Sequence, residues 1–250
     1  MAVNKDSNLY TIVFAAGMVI VVGTILAYLA FSLAPAIGEN MRLEKQQNIL
    51  YAMGVHENDN AGSVNFVSTD KVAEEFSKYI VDQLVIEGDK ITSDNEAYLI
   101  SVKKQMAAGK NGEVQKLPLF IGEKDGEKSY IIPMYGSGLW DAVWGFVSLD
   151  ANLTVQGVYF DHKAETPGLG ANINQRYFMD DFAGETILKG TAFAGIKVAK
   201  GNNDPKNLIK DDNEVDALAG ATITGDGISA MIKKSLRLYK PYLESIKAKN

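Results

Sequence analysis

Apolar and polar positions follow three different rhythms along the chain. Residues 9–33 are almost wholly apolar, and no charge occurs from Ser7 to Gly38. As a helix rising about 1.5 Å per residue, this run reaches ~37 Å, enough to cross a ~30 Å hydrocarbon core with some tilt. A cleaved signal peptide is the rival reading, and Ala34-Pro35-Ala36 has the small-x-small form of a cleavage site. The run exceeds the ~7–15 residues of a signal core, which favours a retained anchor behind a polar tail, residues 1–8. Lys5 on one flank nearly balances Arg42 and Lys45 on the other, so the charges leave orientation undecided.

The second rhythm is helical. Residues 39–53 put Ile49, Leu50 and Met53 on one face, with Gly54 as the stop. Asp70 is placed to cap a second helix, with Glu74 and Glu75 near its N-terminus. Val72, Phe76, Ile80 and Leu84 then recur every fourth residue, and a weaker helical pattern covers 98–106 inside a polar stretch, 88–116. These patterns predict a helical ancillary segment over 39–113.

From about Val114 the rhythm shortens to that of strands. Residues 117–121, 129–134, 142–149 and 153–160 read as consecutive strands, turned at Asp125-Gly126 and Asp150-Ala151-Asn152. Links this short imply an antiparallel meander. A helix at 174–182, a strand at 193–200 and a polar loop at 201–212 with Pro205 follow. The last helix, 228–239, carries Ile228, Met231, Ile232, Leu236 and Tyr239 on one face and Lys233, Lys234 and Arg237 on the other. The expectation is an α+β fold: one membrane helix (9–33), the ancillary segment, and an antiparallel-sheet domain over 114–250.

Composition narrows the chemistry. The net charge is −6 with a pI of about 5.1, and nothing points to nucleic acid as a partner. The absence of cysteine excludes disulfides, thiolate-held iron–sulfur clusters and cysteinyl flavin links within this chain. His56 and His162 are far apart and lack metal-ligand spacing.

Three stretches carry candidate chemistry. The first is Asp-Ala-Leu-Ala-Gly-Ala-Thr-Ile-Thr-Gly-Asp-Gly, residues 216–227, where a loop of small residues feeds a helix N-terminus. Unpaired N–H groups there suit an anion, and Gly220, Gly225 and Gly227 allow close approach of a phosphate. The plainer alternative is a turn in which Thr224 or Asp226 caps a helix starting near Gly225 or Gly227. No Gly-Lys-Ser/Thr follows, which excludes a nucleotide-hydrolase phosphate loop. The second stretch, Gly136-Ser-Gly-Leu-Trp140, offers either a flat aromatic face for an isoalloxazine ring or a core tryptophan after a tight turn. The third, Glu165-Thr-Pro-Gly-Leu-Gly170, offers either hydrogen-bonding groups for a flavin edge or an ordinary Pro-Gly turn.

Asp216, Gly220, Ala221 and Thr222 match the flavinylation motif Asp-x-x-Ser/Thr-Gly-Ala-Thr of a family of membrane-anchored redox subunits, with Ala219 standing where Ser or Thr is usual. All three stretches, with Lys200-Gly201 before the last, occur in the same order in the C subunits of Na+-translocating NADH:quinone reductases, which the chain resembles over roughly 115–240. The G subunit of the Rnf complex shares the flavin domain and is the alternative, alongside a membrane-anchored binding module without redox function. The resemblance implies FMN joined through its phosphate to Thr222. It implies Asp216, Leu218, Gly220, Ala221 and Thr224 as the phosphate-side loop, and Trp140, Glu165, Thr166, Gly168, Leu169 and Lys200 around the ring and ribityl chain. It further implies a flavin domain on the outer face of the bacterial inner membrane and a separate flavin transferase that loads it there. Electrons would pass singly between neighbouring carriers while the complex oxidises NADH, reduces a quinone and exports Na+. The nicotinamide, quinone and sodium sites would then lie on partner subunits, and the chain has no Gly-x-Gly-x-x-Gly after a strand.

Overall fold

The computed structural model describes residues 7–59, 62–202, 204 and 207–247. Pro205 and most of the N-terminal tail, Lys5 included, lie outside them. The chain divides into two units, one up to Arg42 and one from Leu43 onward.

Helix α1 (Asn8–Ala52) joins the two runs expected as separate helices. It continues through Pro35, which costs one i→i−4 hydrogen bond. In the first unit its apolar side chains are exposed along the whole run, and its length and hydropathy suffice to cross a membrane. In the second unit its last turns bury Ile49, Leu50, Tyr51 and Ala52, and Gly54, at φ +77°, ends it as expected.

The second unit is built on one six-stranded antiparallel sheet. Helix α2 (Val72–Tyr79) leads into β1 (Ile80–Glu87) and β2 (Lys90–Ser93). Helix α3 (Val102–Lys110) precedes the meander β3 (Lys116–Lys124), β4 (Glu127–Ser137), β5 (Ala142–Leu149) and β6 (Val155–His162). The sheet order is β2-β1-β3-β4-β5-β6. The meander agrees with expectation, and Asp125 and Gly126 both take positive φ (54° and 83°), as a two-residue type I′ hairpin requires.

Two expectations fail in the segment before it. Asp70 does not cap α2, whose N-cap is Lys71 without a side-chain bond. Nor does the helix run on through Ile80 and Leu84, because those residues lie in β1, paired with β3 at Leu84↔Leu119. A spacing of four returns to the same side of a strand as well as of a helix, and the β-branched Ile80, Val81, Val85 and Ile86 favour the strand. The expected ancillary lobe, 39–113, therefore contributes two strands to the main sheet and is no separate body.

After β6 the expected helix at 174–182 is broken. Only α4 (Arg176–Met179) is a full turn, flanked by 3₁₀ turns at Gly170–Asn174 and Asp180–Phe182, because Gln175 is extended. Phe178 and Phe182 still reach the core, with ring centroids 6.0 and 5.1 Å from Phe160. The expected strand at 193–200 is also split. A small hairpin, β7 (Leu188–Lys189) with β8 (Ala192–Phe193), gives way at Gly195 (φ +78°) to β9 (Lys197–Val198). The latter pairs in parallel with β10 (Glu214–Val215).

Helix α5 (Thr222–Lys247) is longer than expected at both ends. Ile228, Met231, Ile232, Leu236, Tyr239, Leu243 and Ile246 form its buried stripe, each fully buried side chain of this size stabilising the fold by about 1.5–3 kcal/mol. The buried Tyr239 hydroxyl donates to the Pro118 carbonyl at 2.8 Å.

Candidate functional site

The early start of α5 sets the geometry. Gly220 turns the chain at φ +68°, the Ala221 N–H donates to the Leu218 carbonyl at 3.0 Å, and the first helical bond runs from the Gly225 N–H to the Ala221 carbonyl. Neither Thr224 nor Asp226 is the N-cap, since the helix begins before both. Buried Leu218 and Ala221 anchor the turn beneath it. Thr222 stands exposed at the first helical position, beside N–H groups that have no intrahelical acceptors. Thr224 points inward, 1% exposed.

Glu165 explains that inward turn. It is 4% exposed, and its two oxygens join elements far apart in sequence. Oε2 accepts from the Thr224 hydroxyl at 2.7 Å, and Oε1 accepts from the Trp140 N–H at 2.9 Å. Burial pushes the carboxyl up. The N–H of Trp140, the Thr224 hydroxyl and the N–H of Asp141 outweigh it and hold the group below the ordinary glutamate value. The Glu165 N–H in turn donates to His162 Nδ1 at 3.2 Å.

Glycines let the three loops touch. A Cβ on Gly227 would strike the Ser137 carbonyl and come within 3.3 Å of Gly138 Cα, so α5 packs directly on the end of β4. Gly138 and Gly170 leave room for the Glu165 carboxylate, and Leu169 Cδ2 lies 2.8 Å from where a Gly220 Cβ would sit. Gly168 takes φ +77° at the exposed tip of its loop.

Trp140 is no core residue. It sits in the connection between β4 and β5, 68% exposed, and its indole N–H donates to Thr166 Oγ1 at 3.2 Å. Leu139, Leu169 and Ile223 are exposed as well, so each of the three segments joined at Glu165 carries an exposed apolar side chain. Lys200 places its ammonium 3.7 Å from Asp226 on α5, beside the same helix terminus. Ser229 ties β9 to α5 by accepting from the Val198 N–H at 2.9 Å. Asp226, Ser229, His162, Leu139 and Ile223 were not singled out as site residues by sequence. Leu139, Ile223 and Asp226 had a signal, through their places inside the 136–140 and 216–227 stretches.

Asp216 faces the other side of the motif, where it lines a cavity of about 30 Å3 with Asp204 and Asp212. Burial and then the charge of Asp204 raise its carboxyl. The loop before it is strapped down. Asn207 and Lys210 both donate to the Asp181 carbonyl, and Asn213 Nδ2 donates to the Leu188 carbonyl at 3.1 Å. Beneath the strap, Glu185 is fully buried with the Lys210 ammonium 4.0 Å away. Burial pushes Glu185 up to about 7, with Lys210 opposing. Asp181 rises to about 6, through burial first and the charge of Asp216 next.

Raised carboxyls bind protons in the folded chain at a pH where the unfolded chain has released them. Their contribution therefore grows as pH falls from about 7 toward the ordinary carboxylate range. Glu185→Gln should raise the melting temperature at pH 7.5 and flatten its dependence on pH between about 8 and 5.5. Scanning calorimetry of both chains checks this. Parallel pH profiles would show that Glu185 does not titrate in that window.

Residues 138–237, which hold all three loops, match the FMN-binding domain family. The C subunit of the Na(+)-translocating NADH-quinone reductase of Pseudomonas aeruginosa is 30% identical over 240 residues, covering 92% of this chain and 91% of that protein. The chain belongs to this C-subunit family. Its relative from Haemophilus ducreyi is 29% identical, the match spanning 98% of this chain and 96% of that one. The crystal structure of the C subunit from Parabacteroides distasonis has a TM-score of 0.70 at 29% identity, over 84% of this chain and 96% of that one. The likeness takes in the segment before residue 138 as well as the flavin domain.

The residues present fit FMN. An exposed hydroxyl beside open N–H groups suits a phosphate, and the exposed apolar side chains of Leu139, Trp140, Leu169 and Ile223 on the segments joined at Glu165 suit a flat ring.

Proposed function

We propose that Thr222 holds FMN through a phosphoester, in a membrane-anchored electron-relay subunit of a Na+-translocating NADH:quinone reductase. One observation carries this reading: three segments distant in sequence are tied together by Glu165, and the start of α5 that belongs to one of them presents the exposed Thr222 hydroxyl. When bound, FMN supplies one- and two-electron chemistry. The protein's part is to hold and orient. The N–H groups of the first turn of α5 face the phosphate, and the helix dipole adds ~0.3–1 kcal/mol for a single negative charge. Trp140 and Leu169 bed the ring and shield it from water, with Trp140 held in place by Thr166. Gly168 leaves its loop backbone open to the ring edge. Lys200, held near Asp226 at the start of α5, would offset negative charge on a bound flavin. Glu165 fixes the distance between ring bed and attachment point.

The nicotinamide, quinone and sodium sites belong to partner subunits in this reading. A separate transferase loads the flavin on the outer face of the inner membrane, with α1 crossing once. Two measurements on membranes test it. The chain should give a fluorescent band that survives denaturing electrophoresis, and protease added to right-side-out vesicles should digest everything beyond the anchor. A dark band refutes the covalent flavin, and full protection refutes the topology.

A further inference from the structure

A groove of about 370 Å3 opens between α3, the end of β4 and the early turns of α5, and the flavin site does not use it. Its buried floor is Met106 and Met231. Its rim is Lys103 and Lys110 from α3 and Lys234 from α5, all exposed, and among the described residues no carboxylate lines it. In a chain of net charge −6 that is a local reversal of sign.

The groove also borders the flavin site. Ser137 and Gly227, which pack together where β4 runs into the Trp140 turn, form part of its wall. Asp141, next to Trp140, is held below the ordinary aspartate value by its bond to Lys163 first, and more weakly by the charge of Lys103.

We propose that this groove docks an acidic segment of a neighbouring subunit, whose carboxylates meet the three lysines while an apolar side chain enters between the methionines. The inference rests on the relay reading. During that contact one electron passes between the neighbour's carrier and FMN, one centre being oxidised as the other is reduced. Methionines repack around whatever enters, and lysines are hydrated point charges that steer an acidic partner without a rigid two-point grip. Both properties suit a brief contact of small area, as electron-transfer encounters are. A phosphorylated small molecule fits less well, because its sites use buried polar groups that converge on the ligand, and the buried lining here is methionine.

The test uses the intact complex. Zero-length carbodiimide coupling should join Lys103, Lys110 or Lys234 to an Asp- or Glu-containing peptide of another subunit. Replacing all three by Gln should remove that product. Since the three side chains are exposed, Lys103→Glu, Lys110→Glu and Lys234→Glu together should leave folding and the FMN content by intact mass unchanged. That variant should slow electron transfer through the subunit about tenfold at low salt and lose the wild-type decline with added salt. Wild-type rates with cross-links only elsewhere overturn the proposal. So does a phosphorylated small molecule that co-purifies and shields the lysines from acylation while no cross-link forms. A chain without FMN would refute the relay reading alone, because the cross-link reports docking by itself.

Discussion

Thr222→Ala should abolish covalent flavin, and with it electron transfer through this subunit, while leaving the domain folded. Thr222 is exposed, and among the described residues nothing bonds to its hydroxyl, so the loss removes no protein contact. Alanine is also the better helix former, and the stability change should stay within ~0.5 kcal/mol. Thr224 is the control, two residues on and chemically alike. Its hydroxyl is committed to Glu165 and buried, which leaves it neither the access nor the free oxygen for a phosphoester. Thr224→Val should therefore keep the flavin but destabilise the domain by ~1–3 kcal/mol, since it takes a donor from a buried carboxylate. Intact mass and peptide mapping read both outcomes. FMN on Thr224, or a fully loaded Thr222→Ala chain, would show that the attachment site is misassigned.

Glu165→Ala should be the most damaging change for stability, at ~2–4 kcal/mol, because it strands two donors and leaves a void behind Gly170. Glu165→Gln should recover much of that loss. One amide oxygen still accepts from the Trp140 N–H, and the Thr224 hydroxyl can turn to accept from the new NH2. The pH dependence separates a charge from a mere space-filler. The lowered carboxyl of Glu165 contributes stability that is fully present above its unfolded pKa and lost as pH falls through the folded one. Both variants should lose part of the acid limb of the stability profile, measured by denaturant unfolding below about pH 5. An unchanged acid limb in Glu165→Gln would mean the ionised form matters little.

Glu165 also marks the division between what is legible in one dimension and what is not. Its stretch belongs to a turn with flavin-edge chemistry, and a role facing the ring is the natural expectation from residue type. In the fold its carboxylate is turned away from solvent and holds two other loops, one 25 residues before it and one 59 after. Trp140 shows the converse. The residue pattern left a core tryptophan and a ring-facing one equally open, and its 68% exposure rules out the core.

By itself the sequence determined the features that local physics governs. An uncharged apolar run of this length favours one continuous helix in an apolar environment, so a helix long enough to cross a membrane was readable from residues 9–33. Alternation with short turns has one pairing pattern, so the meander and its Asp125-Gly126 hairpin were readable too. The tertiary structure decided what local physics leaves degenerate. Ile80 and Leu84 satisfy helix and strand spacing alike, and pairing with β3 resolves them as β1. Gly225 and Gly227 read as the place where the last helix starts, yet α5 begins at Thr222 and runs through both. Gly225 packs against Val198 and Gly227 against the Ser137 carbonyl, where a side chain would not fit. The joining of the three segments at Glu165 is tertiary too, because it depends on hydrogen bonds and packing between segments that no local pattern connects.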